Sequence, residues 1–421
     1  MDASIMKASG FTRRDVLRVA GVTAALGASG AMQLAFGQGS PTQPRLVVVM
    51  LRGAMDGLSL VAPHAEAAYQ QERPSIAIPR PGEPDGLLPL TTLFGLNPAF
   101  APLMPYWQNQ QLAFVHASGS PDATRSHFDA QDYMESATPG RKTTPDGWMN
   151  RLAAVLVGRD VAPAAQRLQA LNLGPTMPRI FTGDAAVASL ASGNAAVARN
   201  NLDKPEMAQA CARLYAGDDR LSRTVREATV TRGEIMGNLV SDDPKADAGA
   251  IPLSGLVRDA TRLGQLMARD ARVRLAFVPV GGWDTHANQG AGRGQLTNRF
   301  AVLAQSLDAL AQGLGPRLAE TTILVMSEFG RTVRQNGTNG TDHGHGNVAF
   351  VMGGGVRGGR VLGEWPGIET AARHEGRDLA VTTDFRDVIA DVLEDRFRLG
   401  DASLSRVLPA MERRQRVGLY T

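Results

Sequence analysis

Residues 273–289 read VRLAFVPVGGWDTHANQ, an apolar run that ends in two glycines followed by an aspartate and a histidine. The run over 273–280 predicts a β-strand buried on both faces, because it is apolar almost throughout and bounded by glycines. Asp284 and His286 follow at the point where this strand ends. Ligands of parallel α/β sheets bind beyond the carboxyl ends of the strands, so the stretch predicts both a fold class and a candidate site.

The same pattern recurs along the chain. Further apolar runs cover residues 46–51, 112–116, 322–326 and 348–352. Helical periodicity is present over 253–271, 296–313 and 384–397, the last with Asp384 as its predicted N-cap. Buried strands that alternate with helices predict an α/β fold, a three-layer sandwich with a mostly parallel central sheet.

Residues of about 150–270 differ from the rest of the chain. They are rich in alanine and arginine and carry helical patterns with few strand-like runs. We predict that they form a mostly helical insertion, which shapes substrate access, within a single domain of residues 38–421.

The composition excludes several classes of protein. Hydrophobic residues make up 43% of the 421 positions and charged residues 20%, which suits a sizeable core and rules out global disorder. The formal net charge is only +3, so it gives no reason to expect nucleic acid as a partner. The single cysteine, Cys211, can form neither an internal disulfide nor a thiolate metal cluster.

Residues 1–37 are typical of a twin-arginine signal peptide. Arg13 and Arg14 precede an apolar stretch over 16–36, and Ala35-Phe36-Gly37 offers small residues for cleavage before Gln38. The alternatives are a membrane anchor or a buried helix. Export predicts a periplasmic or secreted protein, a passing interaction with the twin-arginine translocation machinery, and a mature form without a stable membrane span.

Carboxylates and imidazoles that follow predicted strands are the candidate metal ligands. They are Asp56, Asp284, His286, Glu328, Asp342, His343 and His345. Such side chains hold one or two divalent ions, and zinc, manganese, iron and calcium all remain open. The alternative is that these are ordinary loop residues, and for Asp56 a plain Asp-Gly turn.

The segment after the run at 112–116 carries candidate catalytic groups. Thr124 or Ser126 would lie near the N-terminus of a helix, where an alkoxide or a bound oxyanion is stabilised. Arg125 could grip a phosphate or sulfate with two nitrogens. The alternative for the hydroxyls is ordinary N-capping. Arg331, which follows the run at 322–326, is either a second stabiliser of substrate oxygens or a structural salt-bridge partner.

Taken in order along residues 45–400, these motifs resemble the alkaline phosphatase and sulfatase superfamily. The motifs Gly-Gly-Trp-Asp-Thr-His, Ser-Glu-Phe-Gly-Arg-Thr and Asp-His-Gly-His-Gly, with the export signal, are more closely similar to DUF1501, a family of exported bacterial proteins of unknown function. The resemblance implies an alkaline phosphatase-like fold. It also implies a metal-dependent hydrolase of phosphate or sulfate esters, whether small molecules or polymers.

The resemblance can be aligned in two ways. Literal matching pairs Asp342-His343-Gly344 with the superfamily's Asp-His-Gly metal motif. Matching by strand position instead pairs Glu328-Phe329-Gly330 with that motif and makes His343 or His345 the later metal histidine. In both, Asp284 and His286 correspond to an Asp-x-x-x-His pair with shorter spacing, and Asn288 stands where the histidine would be.

Two other functions stay open. A non-catalytic exported binding or assembly protein would keep the fold and one metal, and Phe329 in a ligand position favours it. The other is an exported redox enzyme. The single cysteine and the missing dinucleotide fingerprint argue against it.

Overall fold

Strand β1, Arg45–Leu51, lies in the middle of the main sheet and is buried at all of its positions. Its alternate residues enter two separate cores. Val47, Val49 and Leu51 belong to one core, whereas Leu46, Val48 and Met50 belong to the other. Both faces of the sheet are therefore covered by apolar side chains, as the continuous apolar run predicts.

A computed structural model of the chain describes residues 43–159, 169–174, 176–190, 192, 205–219, 222–223, 253–412 and 415–420. Residues 44–421 fall in one compact unit. The predicted signal peptide lies outside the described residues, and the export route stays a prediction. None of the helices in the described ranges combines the length and apolar character that crossing a bilayer requires.

The described residues contain twelve strands, and five of them correspond to the five predicted apolar runs. The strands are β1 Arg45–Leu51, β2 Val61–Ala62, β3 Leu88–Pro89, β4 Gly95–Leu96, β5 Leu112–Gly119, β6 Gln169–Leu173, β7 Val187–Leu190, β8 Val273–Val280, β9 Thr321–Ser327, β10 Asn347–Gly353, β11 Arg360–Leu362 and β12 Thr383–Asp384. Strands β2, β4 and β3 form a small separate sheet, and the others form the main sheet.

The three predicted helices are also confirmed, within two residues at each boundary. The helices are α1 Gly57–Leu60, α2 Ala67–Glu72, α3 Met104–Gln108, α4 His127–Ser136, α5 Trp148–Arg159, α6 Pro205–Leu214, α7 Leu253–Arg269, α8 Gln295–Leu314, α9 Phe385–Asp395 and α10 Asp401–Val407. Asp384 caps α9 as predicted, since its side chain accepts a hydrogen bond from the backbone N–H of Arg386.

The main sheet runs in the order β11-β5-β10-β9-β1-β8-β6-β7, with β12 beside β5. Strand β1 is parallel to both of its neighbours, β8 and β9, while β10 is antiparallel to β5 and β9. Helices α7 and α8 cover one face, and α5 and α9 cover the other. The prediction of a three-layer α/β fold with a mostly parallel sheet is thus confirmed.

The predicted helical insertion of about 150–270 is not purely helical where the structure describes it. Strands β6 and β7 belong to it, and both are parallel strands of the main sheet. The sequence of β6, QALNL, hides its strand character because alanine and leucine favour helices and Asn172 is polar. Asn172 is fully buried, and its amide donates to the backbone oxygen of Thr176 at 2.9 Å.

The register of the central strands brings several loops together. Leu51 pairs with Val280 on one side and with Ser327 on the other, so β1, β8 and β9 end at one edge of the sheet. The pairing of Asn347 with Ser118 brings the end of β5 to that edge as well. The loops that carry most of the predicted site residues therefore start from a common edge.

Candidate metal centre

Three side chains from three loops converge at this edge. His127 is the first residue of α4, Asp284 follows β8, and His343 lies in the loop before β10. The Nε2 atoms of His127 and His343 are 3.0 Å apart, and Asp284 carboxylate oxygens lie 3.7 and 3.4 Å from them. Within the described part of the chain, these residues form the group whose ligand atoms are all close enough to share an ion.

His286 adds a third imidazole nitrogen, and a fourth side chain, to this group. Its Nε2 lies 2.9 Å from Oδ1 of Asp284 and 3.1 Å from Nε2 of His343. We call His127, Asp284, His286 and His343 the histidine–aspartate cluster. Three imidazole nitrogens and a carboxylate are a donor set typical of zinc, manganese or iron.

Each imidazole of the cluster is held through its other nitrogen. Nδ1 of His127 lies 2.8 Å from a Glu328 oxygen, and Nδ1 of His286 lies 3.2 Å from an Asp342 oxygen. Nδ1 of His343 lies 2.9 Å from the backbone oxygen of Arg125. Carboxylate and carbonyl oxygens accept hydrogen bonds, so imidazoles that are neutral and protonated at Nδ1 would each present a lone pair at Nε2. This is the second-shell arrangement that fixes metal-binding histidines.

Arg331 sets the charge of Asp284. Its side chain is fully buried and donates to Asp284 Oδ1 at 2.5 Å, and to the backbone oxygens of Ala54 and Gly53 at 2.6 Å each. Burial would raise the pKa of Asp284, but the hydrogen bond and charge of Arg331 hold that pKa below its ordinary value. The aspartate is therefore ionised and fixed in position. Of the two predicted roles of Arg331, these contacts favour the structural salt bridge.

The pKa values of two cluster histidines shift in opposite directions. Burial lowers the pKa of His343 below its ordinary value, which favours the neutral imidazole that can ligate. The hydrogen bond that His127 donates to the Glu328 carboxylate raises the pKa of His127, which favours the protonated imidazole in the absence of an ion. For Asp342, the hydrogen bond from Asn336 is the main cause of a lowered pKa.

Glu328 lies behind His127. It follows β9 directly, is fully buried, and its Oε1 accepts hydrogen bonds from the backbone N–H of Gly53 at 2.8 Å and from Gln131 Nε2 at 3.0 Å. Burial would raise its pKa, but the hydrogen bonds from His127 and Gln131 hold the pKa below its ordinary value. Glu328 therefore supports a cluster histidine.

The ring of Phe329 packs against two histidines of the cluster. Its centroid lies 4.9 Å from that of His127, in a stacked arrangement, and 5.3 Å from that of His343. The residue that the strand-position alignment puts in place of a metal histidine thus forms an apolar wall of the centre.

Glycines allow the loop of His343 to pack tightly on its neighbours. A Cβ atom added at Gly344 would lie 2.4 Å from the carbonyl carbon of Arg331, and one at Gly330 would lie 1.8 Å from the backbone oxygen of Gly346. The backbone N–H of Gly344 donates to the oxygen of Gly330 at 2.8 Å. This close backbone contact brings His343 and Arg331 to the same site.

Asp56 is not part of the cluster. It is fully buried, and its oxygens accept from Arg73 at 2.6 and 3.1 Å, from Ser59 at 2.8 Å and from Gln289 at 2.6 Å. Burial would raise its pKa, but the charge and hydrogen bonds of Arg73 keep it below its ordinary value. Asp56, which the sequence predicts as a metal ligand, therefore lies in a buried ion pair with Arg73.

His345 also lies outside the cluster. Its ring is 4.4 Å from that of His374, and burial lowers its pKa to about 4. Of the two histidines left open as the later metal ligand, the structure brings His343 to Asp284 and His286. Asp342, another predicted ligand, contacts the cluster through Nδ1 of His286.

The candidate catalytic residues of the segment before α4 have structural partners. Ser126 is the N-cap of α4, and its Oγ accepts from the backbone N–H of Asp129 at 3.4 Å. Oγ1 of Thr124 accepts from the backbone N–H of Ser126 at 3.3 Å. The Arg125 guanidinium donates to Glu375 at 2.7 Å and to Asp378 at 2.8 Å. Ser126 therefore acts as an ordinary N-cap in this structure, which is the alternative given for it from the sequence.

His127 is the cluster residue that the sequence analysis did not single out as a ligand. It lies directly after Ser126, in the helix-opening segment that was examined for hydroxyl nucleophiles. Its position after a strand, at the same sheet edge as Asp284, is the signal that would have identified it.

Comparisons with solved structures give several similar chains, all at low sequence identity. The chain is similar to the C-terminal periplasmic domain of EcEptC from Escherichia coli, with 11% identity, a TM-score of 0.39, and 89% of each chain covered. It is also similar to a protein in the alkaline phosphatase superfamily from Vibrio parahaemolyticus, with 9% identity, a TM-score of 0.37, and 76% of this chain and 62% of that chain covered.

A third similar structure is the alkaline phosphatase from the Antarctic bacterium TAB5, with 11% identity, a TM-score of 0.31, and 75% of this chain and 92% of that chain covered. No curated protein matches the sequence. The sequence profile described as "Protein of unknown function (DUF1501)" matches residues 89–411. That span is most of the chain, so the chain belongs to the DUF1501 family.

Proposed function

We propose that this protein is an exported metal-dependent hydrolase of phosphate or sulfate esters. The observation that carries the proposal is the convergence of three imidazole Nε2 atoms on the Asp284 carboxylate, each imidazole being tied back through Nδ1. Such preorganised nitrogen lone pairs are the mark of a metal centre. A divalent ion held there would polarise an ester oxygen and acidify a bound water.

The charges of the cluster suit an anionic ester. Three neutral imidazoles and one carboxylate carry a formal charge of −1, so a divalent ion with these four ligands would carry +1. Glu328 and Asp342 are carboxylates outside that sphere, each in contact with one imidazole through its Nδ1. Arg331 adds a permanent positive charge that is buried beside Asp284. Phosphate and sulfate esters are anions, so their attraction to such a centre is stronger than that of neutral esters.

The proposed nucleophile is the hydroxyl of Ser126 or Thr124. Capping of α4 uses an acceptor lone pair of Ser126 Oγ, which leaves the hydroxyl proton to be given up. Ser126 directly precedes His127, so it is one residue from a proposed ligand. The Arg125 guanidinium is the proposed anion grip, because its partner Glu375 is exposed and an incoming anion can compete with it.

Ester turnover tests this proposal. We expect the protein, purified without chelator, to hydrolyse an aryl phosphate or an aryl sulfate, and to lose that activity on chelation and regain it when the metal is restored. His127→Ala and His343→Ala should abolish turnover, whereas His64→Gln, a histidine beside Gly95, should not. Turnover that survives both Ser126→Ala and Thr124→Ala would exclude the covalent route.

The export proposal has its own test. Expression of the full chain should yield a mature protein that begins at Gln38, read by mass spectrometry. Replacement of Arg13 and Arg14 by lysine should hold the precursor in the cytoplasm. The proposed partner in that step is the twin-arginine translocation machinery, and an unprocessed protein found outside the cytoplasm would contradict this route.

The second candidate function is a non-catalytic exported binding or assembly protein that retains one metal. The ion pairs of Arg125 with Glu375 and Asp378 favour it, since they occupy the side chain that would grip an anion. Metal bound in stoichiometric amount without turnover of either ester class would favour this function.

A further inference from the structure

We propose that the histidine–aspartate cluster holds a single divalent ion, with Glu328 as a positioning residue outside its coordination sphere. This inference rests on the proposed metal dependence and narrows it. The sequence alone leaves one or two ions open and counts Glu328 among the ligands.

Both carboxylate oxygens of Glu328 accept hydrogen bonds from protein groups. Its Oε1 accepts from three donors, the backbone N–H of Gly53 at 2.8 Å, Nδ1 of His127 at 2.8 Å and Nε2 of Gln131 at 3.0 Å. Its Oε2 accepts from Ser327 Oγ at 3.0 Å. Ligation through Oε1 would break the bond that orients His127, and the ligand atoms of His127, Asp284 and His343 lie close enough to share an ion without Glu328.

Arg331 disfavours a second ion beside the first. Paired metal ions in hydrolases lie about 3.5–4 Å apart, so they need ligands in common. The carboxylate of the cluster, Asp284, already accepts from the fully buried guanidinium of Arg331. A guanidinium does not lose its proton in proteins, so a second divalent ion on Asp284 would stand next to a fixed positive charge.

The remaining surroundings offer few further ligands. Phe329 closes one side of the cluster with an apolar ring. Asp56, the other carboxylate that follows a central strand, is bound to Arg73. In the described ranges of the chain, His127, Asp284 and His343 form the group whose metal-binding atoms all lie within 4.8 Å of one another.

Stoichiometry and spectroscopy test the proposal on the full mature protein. We expect equilibrium dialysis against Mn²⁺ or Co²⁺, followed by elemental mass spectrometry, to give one ion per chain. Two ions per chain would overturn this inference and leave the proposed hydrolase intact. No bound ion would overturn the proposed function itself, and this inference with it.

Variants separate positioning from ligation. Glu328→Gln should still bind one Co²⁺ with the absorption spectrum of the wild type, but about 10–100-fold more weakly. His127→Ala should change the spectrum, because it removes a ligand. Gln131→Leu keeps the Glu328 carboxylate but removes one of its hydrogen-bond donors, and it is the variant to use where Glu328→Gln does not fold. It should weaken Co²⁺ binding less than Glu328→Gln does and leave the absorption spectrum unchanged. A changed coordination spectrum in Glu328→Gln would make Glu328 a ligand. Where that variant does not fold, a Gln131→Leu variant that binds the ion as tightly as the wild type would contradict the positioning role.

Discussion

The Asp56→Asn variant tests whether Asp56 stabilises the fold through a buried ion pair or binds metal. The carboxylate is fully buried and pairs with Arg73, which is itself fully buried. The substitution leaves the guanidinium without its counter-charge, and breaking a buried pair from one side costs about 3–5 kcal/mol. Arg73 keeps its bonds to the backbone oxygens of Val333 and Thr332 at 2.9 and 2.8 Å, so we expect a loss near the lower end, about 3 kcal/mol.

Urea unfolding followed by tryptophan fluorescence measures this loss, and elemental mass spectrometry on the same samples measures bound metal. Asp85→Asn is the matched control, because Asp85 pairs with Arg293 at 2.7 Å on the surface and should lose less than about 1 kcal/mol. We expect Asp56→Asn to be destabilised with its metal content unchanged. A variant as stable as the wild type that has lost its metal would make Asp56 a ligand and refute the assignment.

Three further predictions follow from the same contacts. Gly344→Ala should weaken metal binding in a chelator competition, because its Cβ would lie 2.4 Å from the carbonyl carbon of Arg331. Gly158→Ala is the control, since the space around its Cβ is open, and it should bind metal like the wild type. Equal metal affinities in the two variants would contradict this packing. Ser126→Ala should lower the free energy of unfolding by about 0.5–2 kcal/mol through loss of the N-cap, measured by circular dichroism, and an unchanged value would exclude the cap. The pKa of Asp56 is lowered in the folded state, so the stability that its carboxylate contributes is present above the ordinary aspartate pKa of about 3.9 and is lost as pH falls through the folded value. The free energy of unfolding of Asp56→Asn should therefore fall less at acid pH than that of the wild type. Identical pH profiles of the two proteins would refute this prediction.

The sequence predicts the sheet better than it predicts the site. Strands β1, β5, β8, β9 and β10 are apolar at nearly all positions, and burial on two faces makes such runs recognisable. Strand β6 was missed because its buried amide, Asn172, is satisfied by the backbone of a loop that no local pattern predicts. Strand β10 is antiparallel to both of its neighbours in the described main sheet. Its own residues do not predict that direction, since strand direction depends on the connections between strands.

The structure brings together only some of the predicted site residues. Asp284, His286 and His343 were identified because they follow strands and glycines. Asp56 and Glu328 also follow strands, yet a strand end fixes only the starting point of a side chain, and their partners decide its role. Those partners, Arg73 for Asp56 and His127 for Glu328, are remote in sequence from them.

The most direct test of the metal centre is the metal content of the natively exported protein, purified without chelator, compared with that of His127→Ala. His127 was identified from the structure alone, so it tests the cluster independently of the sequence motifs. We expect about one divalent ion per chain in the wild type and a large loss in the variant, with His64→Gln as the control that retains the ion. A wild type that neither carries nor takes up metal, or a His127→Ala variant that holds it as tightly as the wild type, would contradict the centre described here.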